Sequence, residues 1–469
     1  MLFPTLTFGI FFLAVFALAW LLRGSNEWRK IMLLVASWVF YGWWDVRFVA
    51  LLIVSGLFNW AIGRAIGLAG DDEKRRKLLV GLGVAANLFV LGWFKYYNFF
   101  MEQAEALLRS LGWERDLAVM QVILPVGISF FTFQGISYIV DVYRRQTKVA
   151  RLLDMTLLMS FFPHLVAGPI VRASHLIPQF AAVPRVTRGM AAMGLILIVW
   201  GLFKKAVIAS ELSTNFVDPV FFDPSAHSSL DLLLAAYGYA VQIYCDFSAY
   251  TDMAIGLAAL LGYRFPHNFN QPYRAASLQD FWRRWHISLS SWLRDYLYIP
   301  LGGSRHGLGR LCLALSATML LGGLWHGASW NFVIWGALHG GVLAAERLWR
   351  EFRPENAPSL PPLAGIVLTF HIVTLSWIFF RSASFGDAMD FLSGIAAGSW
   401  TSTMLTPLGL GLIVLGMSLH YFPAHGTQRL AMRVRTMPAA LVGLATGLAI
   451  LIVDAMRPEG VAPFIYYQF

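Results

Sequence analysis

The chain has 469 residues, 58% of them hydrophobic and only 13% charged, with a formal net charge of +10. A soluble globular domain carries about 25% charged residues. Here apolar runs of membrane-crossing length recur from end to end, which excludes a soluble enzyme and indicates an all-α, polytopic membrane protein. A transmembrane barrel would instead show alternating strands of roughly 10 residues.

The first run, 5–22, has no basic residue before it and reads as a retained span, not a secretory signal. Further apolar stretches occur at 31–44, 48–68, 78–100, 117–140, 189–210, 229–262, 311–345, 362–380, 404–423 and 437–454. Together they predict about ten to twelve transmembrane helices in a single integral membrane domain over residues 1–469. The stretch 152–171 is broken by Pro163, Gly168 and Pro169 and reads as re-entrant, because proline removes a donor and clashes with the preceding turn. The 229–262 stretch is too long for one upright helix and holds Asp246 and Asp252, so a bend or break is expected there.

Seven connecting segments, 22–30, 71–77, 144–151, 172–188, 263–311, 345–353 and 424–436, hold 27 of the 36 Lys and Arg residues. Placing all seven in the cytoplasm satisfies the positive-inside rule and puts both termini on the outer face. The basic balance is therefore topology and not a nucleic-acid surface. The two cysteines, Cys245 and Cys312, offer neither a disulfide framework nor zinc spacing. His164, His175, His286, His326 and His339 form no HxxxH or HExxH pair, so no metal site is expected. No Walker loop or GxSxG elbow is present either.

Residues 311–345 contain no Asp, Glu, Lys or Arg, yet His326 lies near their middle in Gly322-Gly323-Leu324-Trp325-His326-Gly327-Ala328-Ser329-Trp330. Both ends of the run belong inside, so it must enter the membrane and return. An arm of 311–325 would reach only about 22 Å into a hydrocarbon core of ~30 Å, leaving His326 within the membrane. Gly322, Gly323 and Gly327 offer backbone freedom for the reversal. An ionisable group at such depth is costly and is by default a functional site.

In the connector 263–311, Trp282, Trp285, Leu289, Trp292, Leu293 and Tyr296 recur at helical spacing, with arginines largely opposite, which predicts an amphipathic helix lying in the membrane interface. His286 falls beside the apolar stripe, where burial and neighbouring arginines would hold it neutral. The segment from Gln242 to Met253 places Tyr244, Asp246 and Asp252 in an apolar context. Its carboxylates fit either acid–base work or proton relay, or a structural role satisfied by arginine or by backbone N–H groups at a helix break.

Six stretches together resemble the membrane-bound O-acyltransferase (MBOAT) family, above all its bacterial branch that includes the alginate O-acetyltransferase membrane subunit. They are Phe162 to Ile170, Gln242 to Gly256, Asp280 to Gly303, Gly322 to Trp330, Trp377 to Arg381 and Phe464 to Phe469. The likeness is strongest over 160–381. His164 departs from it, standing where another polar residue is expected. The resemblance implies opposed funnels joined by a tunnel at a catalytic histidine. It makes His326 that histidine and His286 the second polar position.

The resemblance also implies transfer of an acetyl group from a cytoplasmic thioester, acetyl-CoA, which is a substrate and not a resident cofactor. The expected acceptor is an extracytoplasmic polysaccharide such as alginate, reached through a periplasmic acetyltransferase or esterase-like partner, in a bacterial inner membrane. His326 would be the base. Tyr244, Asp246, Trp285 and Trp325 are candidate substrate contacts, and Asn331 is a candidate oxyanion donor. Two alternatives are D-alanyl transfer to teichoic acid from a carrier-protein thioester, and a proton-coupled transporter or flippase relaying protons through Asp246, Asp252 and the histidines.

Overall fold

The computed structural model describes residues 1–113, 120–355, 360–423, 425–458 and 464–465. Among them every regular element is helical. A chain in lipid requires this, since each segment must satisfy its own backbone N–H and C=O groups. Residues 117–119 of the expected span 117–140, and Tyr466 to Phe469 of the terminal motif, lie outside the described residues. Contacts divide the chain into two compact units: Met1–Val186 with Ala258–Phe265, and Thr187–Leu257 with Pro266–Phe469.

The first unit contains α1 (Leu6–Leu21), α2 (Asn26–Gly42), α3 (Arg47–Leu68), α4 (Glu73–Ser110), α5 (Ile128–Tyr143), α6 (Leu152–Ser160), α7 (Phe162–Leu165) and α8 (Ala173–Ala181). The expected break in 152–171 falls at Phe161, between α6 and α7, with Pro163 in the first turn of α7. The 117–140 stretch is helical only from Ile128. Pro125 precedes that start, and Gly127 adopts φ 77°, where a Cβ would meet the Leu165 carbonyl oxygen at 2.5 Å. Buried polar groups are matched across helices. Lys30 pairs with Asp154 at 2.7 Å, Asn59 and Asn87 exchange amide hydrogen bonds, and Arg76 donates to carbonyls at the ends of both α3 and α5.

The second unit begins with α9 (Arg188–Phe203), which runs on through the π-helical turn Lys204–Ala209, α10 (Ser210–Leu212), a second π-helical turn Ser213–Val217 and α11 (Asp218–Phe222). Next comes α12 (Ser229–Leu260), a single helix without a break over 32 residues, where the sequence suggests a bend or a break. The remaining helices are α13 (Leu278–Arg284), α14 (Ile287–Leu293), α15 (Leu308–His326), α16 (Trp330–Phe352), α17 (Pro362–Arg381), α18 (Phe385–Ala396), α19 (Pro407–Ser418), α20 (Gly426–Val434) and α21 (Ala439–Met456). Among the described residues seven helices are long and apolar enough to cross a membrane, or eight if the bent pair 407–421 and 426–434 is one span. The count falls below about ten to twelve because α2 and α5 have only 17 and 16 residues. Helices α12 and α16 are long enough but carry buried polar groups such as Gln242, Asp246, Asn331 and His339.

The 311–345 run is a helical hairpin, α15 and α16, reversing at Gly327-Ala328-Ser329. Two expectations change here. The first arm has 19 residues, about 28 Å at 1.5 Å per residue, so arm length alone no longer holds the turn short of the far face. The glycines serve space, not backbone freedom: Gly322 and Gly323 lie inside α15, and Gly327 is extended at φ −164°. A Cβ on Gly323 would collide with the Phe332 carbonyl oxygen, and one on Gly336 would meet the Met319 carbonyl oxygen at 2.5 Å. A Cβ on Gly327 would run into the Phe332 ring.

Gly336→Val is therefore expected to wedge the hairpin apart at a cost of about 1–3 kcal/mol or more, read as a lower melting temperature in detergent. Gly341→Val, where nothing lies within 4 Å, should be neutral and serves as the control.

Candidate active site

His326 is the last residue of α15 and is 4% exposed. Three aromatic rings box it edge-on: Trp325 at 5.0 Å between centroids, Trp335 at 5.0 Å and Phe380 at 5.2 Å. The tight hairpin turn makes this possible. Ser329 caps α16, its hydroxyl accepting from Asn331 N–H at 3.2 Å, and the reversal swings Trp335 back over the imidazole. Trp335 in turn lies 4.5 Å from His339. His339 accepts from the Trp282 indole at Nδ1 (3.2 Å) and lies 2.8 Å from the Ser376 hydroxyl at Nε2.

His286 occupies the break between α13 and α14. The expected continuous helix over 280–296 is interrupted here, with His286 in the left-handed region at φ 43°. Trp282, Trp285, Leu289, Trp292 and Leu293 are all buried, so the aromatic stripe packs within protein instead of lying against lipid. His286 is fully buried, edge-on to Phe247 of α12 at 4.6 Å and to Trp325 at 6.2 Å. It lies outside the spanning helices, and burial pushes its imidazole down to about 3, holding it neutral. The two histidines thus flank one indole, that of Trp325, which is itself 4% exposed.

The other sequence candidates fall further back. Trp285 is packed among Phe269, Phe281 and Trp377 at 5.1–5.6 Å. Tyr244 sits against His420 at 4.2 Å, with Lys204 over its ring. Asp246 is held in an ion pair: it meets Lys205 at 2.8 Å and accepts from Ile465 N–H at 2.9 Å, with 3% exposure. Lys204 makes the parallel pair with Asp252 at 2.7 Å. These lysines explain why α12 carries two carboxylates without breaking. Asn331 directs its side-chain amide at the Ser382 carbonyl (2.9 Å), tying the start of α16 to the end of α17, which takes a donor away from the oxyanion role.

Residues not foreseen as site groups are Trp335, Phe380 and Asn268. Trp335 and Phe380 reach His326 only through the chain reversal and helix packing, which no spacing rule reports. Asn268 stands in the polar run His267-Asn268-Phe269-Asn270-Gln271 just past an apolar stretch, and its Oδ1 lies 3.2 Å from His286 Nδ1.

Lys205→Met should strip Asp246 of its ammonium and destabilise the fold by about 3–5 kcal/mol, seen as reduced thermal stability. Adding Asp246→Asn should recover stability and acyl transfer together. A double variant that is stable but inactive would return Asp246 to the reaction.

The family model for MBOAT, the membrane-bound O-acyltransferase family, matches residues 141–385. The chain is 38% identical to the probable alginate O-acetylase AlgI of Azotobacter vinelandii, covering 100% of both chains. It is 36% identical to the peptidoglycan O-acetyltransferase of Helicobacter pylori over 78% of this chain and 73% of that one. A weaker similarity, 28% over 55% of this chain and 69% of the relative, connects it to the teichoic acid D-alanyltransferase of Bacillus subtilis.

Proposed function

The chain belongs to the membrane-bound O-acyltransferase family, and from that premise we propose that it moves an acetyl group from cytoplasmic acetyl-CoA to the hydroxyl of an extracytoplasmic, alginate-like polysaccharide. It is a multi-pass membrane O-acyltransferase. The observation that carries the reading is His326, buried at the tip of the α15–α16 hairpin inside a box of Trp325, Trp335 and Phe380. Full-length similarity to a probable alginate O-acetylase, and similarity over 78% of the chain to a peptidoglycan O-acetyltransferase, support acetyl as the group moved and a polysaccharide as its destination. The Lys and Arg distribution supports a cytoplasmic face for the 263–311 connector and a periplasmic face for both termini, in a bacterial inner membrane.

In this mechanism the arginines of the connector attract the phosphates of the donor from the cytoplasmic side. The neutral imidazole of His326 takes the proton of the acceptor hydroxyl as that oxygen attacks the thioester carbonyl. The new C–O bond forms, the C–S bond breaks, and the imidazolium returns its proton to the departing thiolate. Apolar walls exclude water, which would otherwise hydrolyse the thioester. His286, across Trp325 from the base, orients the thioester. The hydroxyl that attacks at His326 belongs to a separate extracytoplasmic acetyltransferase or esterase-like protein, which in a second transfer passes the acetyl group to a hydroxyl of the polymer.

General-base assistance is typically worth ~10²–10⁴ in rate, so His326→Ala should insert and fold normally yet lose transfer by about that factor; retained activity would end the proposal. His286→Ala should lose much of the rate, and unchanged kinetics would remove it from the site. The similarity to the teichoic acid enzyme favours one second reading, a D-alanyl thioester on a carrier protein as donor. Membranes supplied with each labelled donor separate the two: acetyl label should reach the acceptor, and aminoacyl label should not.

A further inference from the structure

Asn268 reaches His286 from outside its helices and is itself 1% exposed. Its backbone carbonyl accepts from Ile287 N–H at 2.9 Å. Its side-chain Oδ1 accepts from Ser288 N–H at 2.9 Å and from the Ser288 hydroxyl at 2.8 Å. A backbone N–H can only donate, so the atom of the Asn268 amide facing this turn is its oxygen. The same oxygen lies 3.2 Å from His286 Nδ1. An amide oxygen has no hydrogen to give, so the hydrogen in that contact belongs to Nδ1, and the neutral ring carries its lone pair on Nε2. The left-handed backbone of His286 at φ 43° is a conformation that non-glycine residues seldom hold without support. Asn268 supplies that support with both its backbone carbonyl and its side-chain oxygen.

We propose that Asn268 is a positioning residue for acyl transfer: it locks His286 in the Nδ1–H form and so presents Nε2 to substrate as an acceptor. The proposal rests on the reading of His286 as part of the acyl-transfer site. It also narrows what His286 does there. A neutral ring with its hydrogen on Nδ1 cannot donate from Nε2 to the thioester oxygen. It accepts from a substrate N–H or O–H, which orients the reacting groups without supplying a proton.

Two measurements test this. Nitrogen NMR of wild-type protein carrying labelled histidine should show, for the signal lost in His286→Ala, a protonated Nδ1 and a bare Nε2 near neutral pH. The reverse pattern overturns the proposal. That spectrum needs no turnover, so its failure is distinct from failure of the acyltransferase reading. In transfer assays Asn268→Ala should lower kcat about tenfold or more at nearly constant donor KM, and should cost nothing further in the His286→Ala background. Losses that multiply independently would overturn it. If Asn268→Ala does not fold, the spectrum of the wild-type protein decides.

Discussion

Helices α15 and α16 can lie backbone against backbone only because residues 323 and 336 lack side chains. Everything that makes His326 unusual depends on that contact. Close approach lets Gly327-Ala328-Ser329 turn the chain with almost no loop, and the short loop brings Trp335 back onto the imidazole it has just passed. Phe380, from the end of α17, closes the third side, while Asn331 holds that helix end to the start of α16. A wider hairpin would pull Trp335 off the imidazole and open the aromatic box around it.

Around this box the charges are neutralised locally. Lys205 with Asp246 and Lys204 with Asp252 join α9 and its π-helical extension to α12. Phe247, next to Asp246 on α12, is the ring on which His286 rests. The Lys205–Asp246 pair therefore sits one residue away from the ring that His286 rests on. Paired carboxylates in an apolar helix suggest acid–base chemistry when only one helix is visible. Once the second helix is in place they are counter-ions.

Much of the fold and the centre of the site are legible in the sequence. Hydropathy separates most spans, and a run of 35 residues free of Asp, Glu, Lys and Arg holds His326 near its middle. What escapes depends on contacts between distant segments. Asp246 looks like a ligand because its partner Lys205 is 41 positions away in sequence. The 280–296 segment looks like one helix because its apolar period passes through the break, and period says nothing of the backbone at His286. The neighbours of Trp285, which are Phe269, Phe281 and Trp377, are likewise invisible in a helical pattern, which cannot distinguish lipid, ligand and protein. The glycines of the hairpin suggest the wrong property, conformational freedom, since spatial crowding is invisible until both helices are present.

The paired lysines and aspartates bear on how the chain is made. The segment carrying Lys204 and Lys205 leaves the ribosome before the one carrying Asp246 and Asp252, so for a time two ammonium groups have no counter-ion. Inserting a lysine at a helix centre costs about 2.5–3.5 kcal/mol even with the help of the insertion machinery. Helix α9 is thus poorly suited to enter lipid alone, and α12 with its carboxylates is no better off by itself. Synthesis would favour keeping the first at the protected mouth of the translocon until the second arrives, so that the two partition sideways into the bilayer as an already neutral couple.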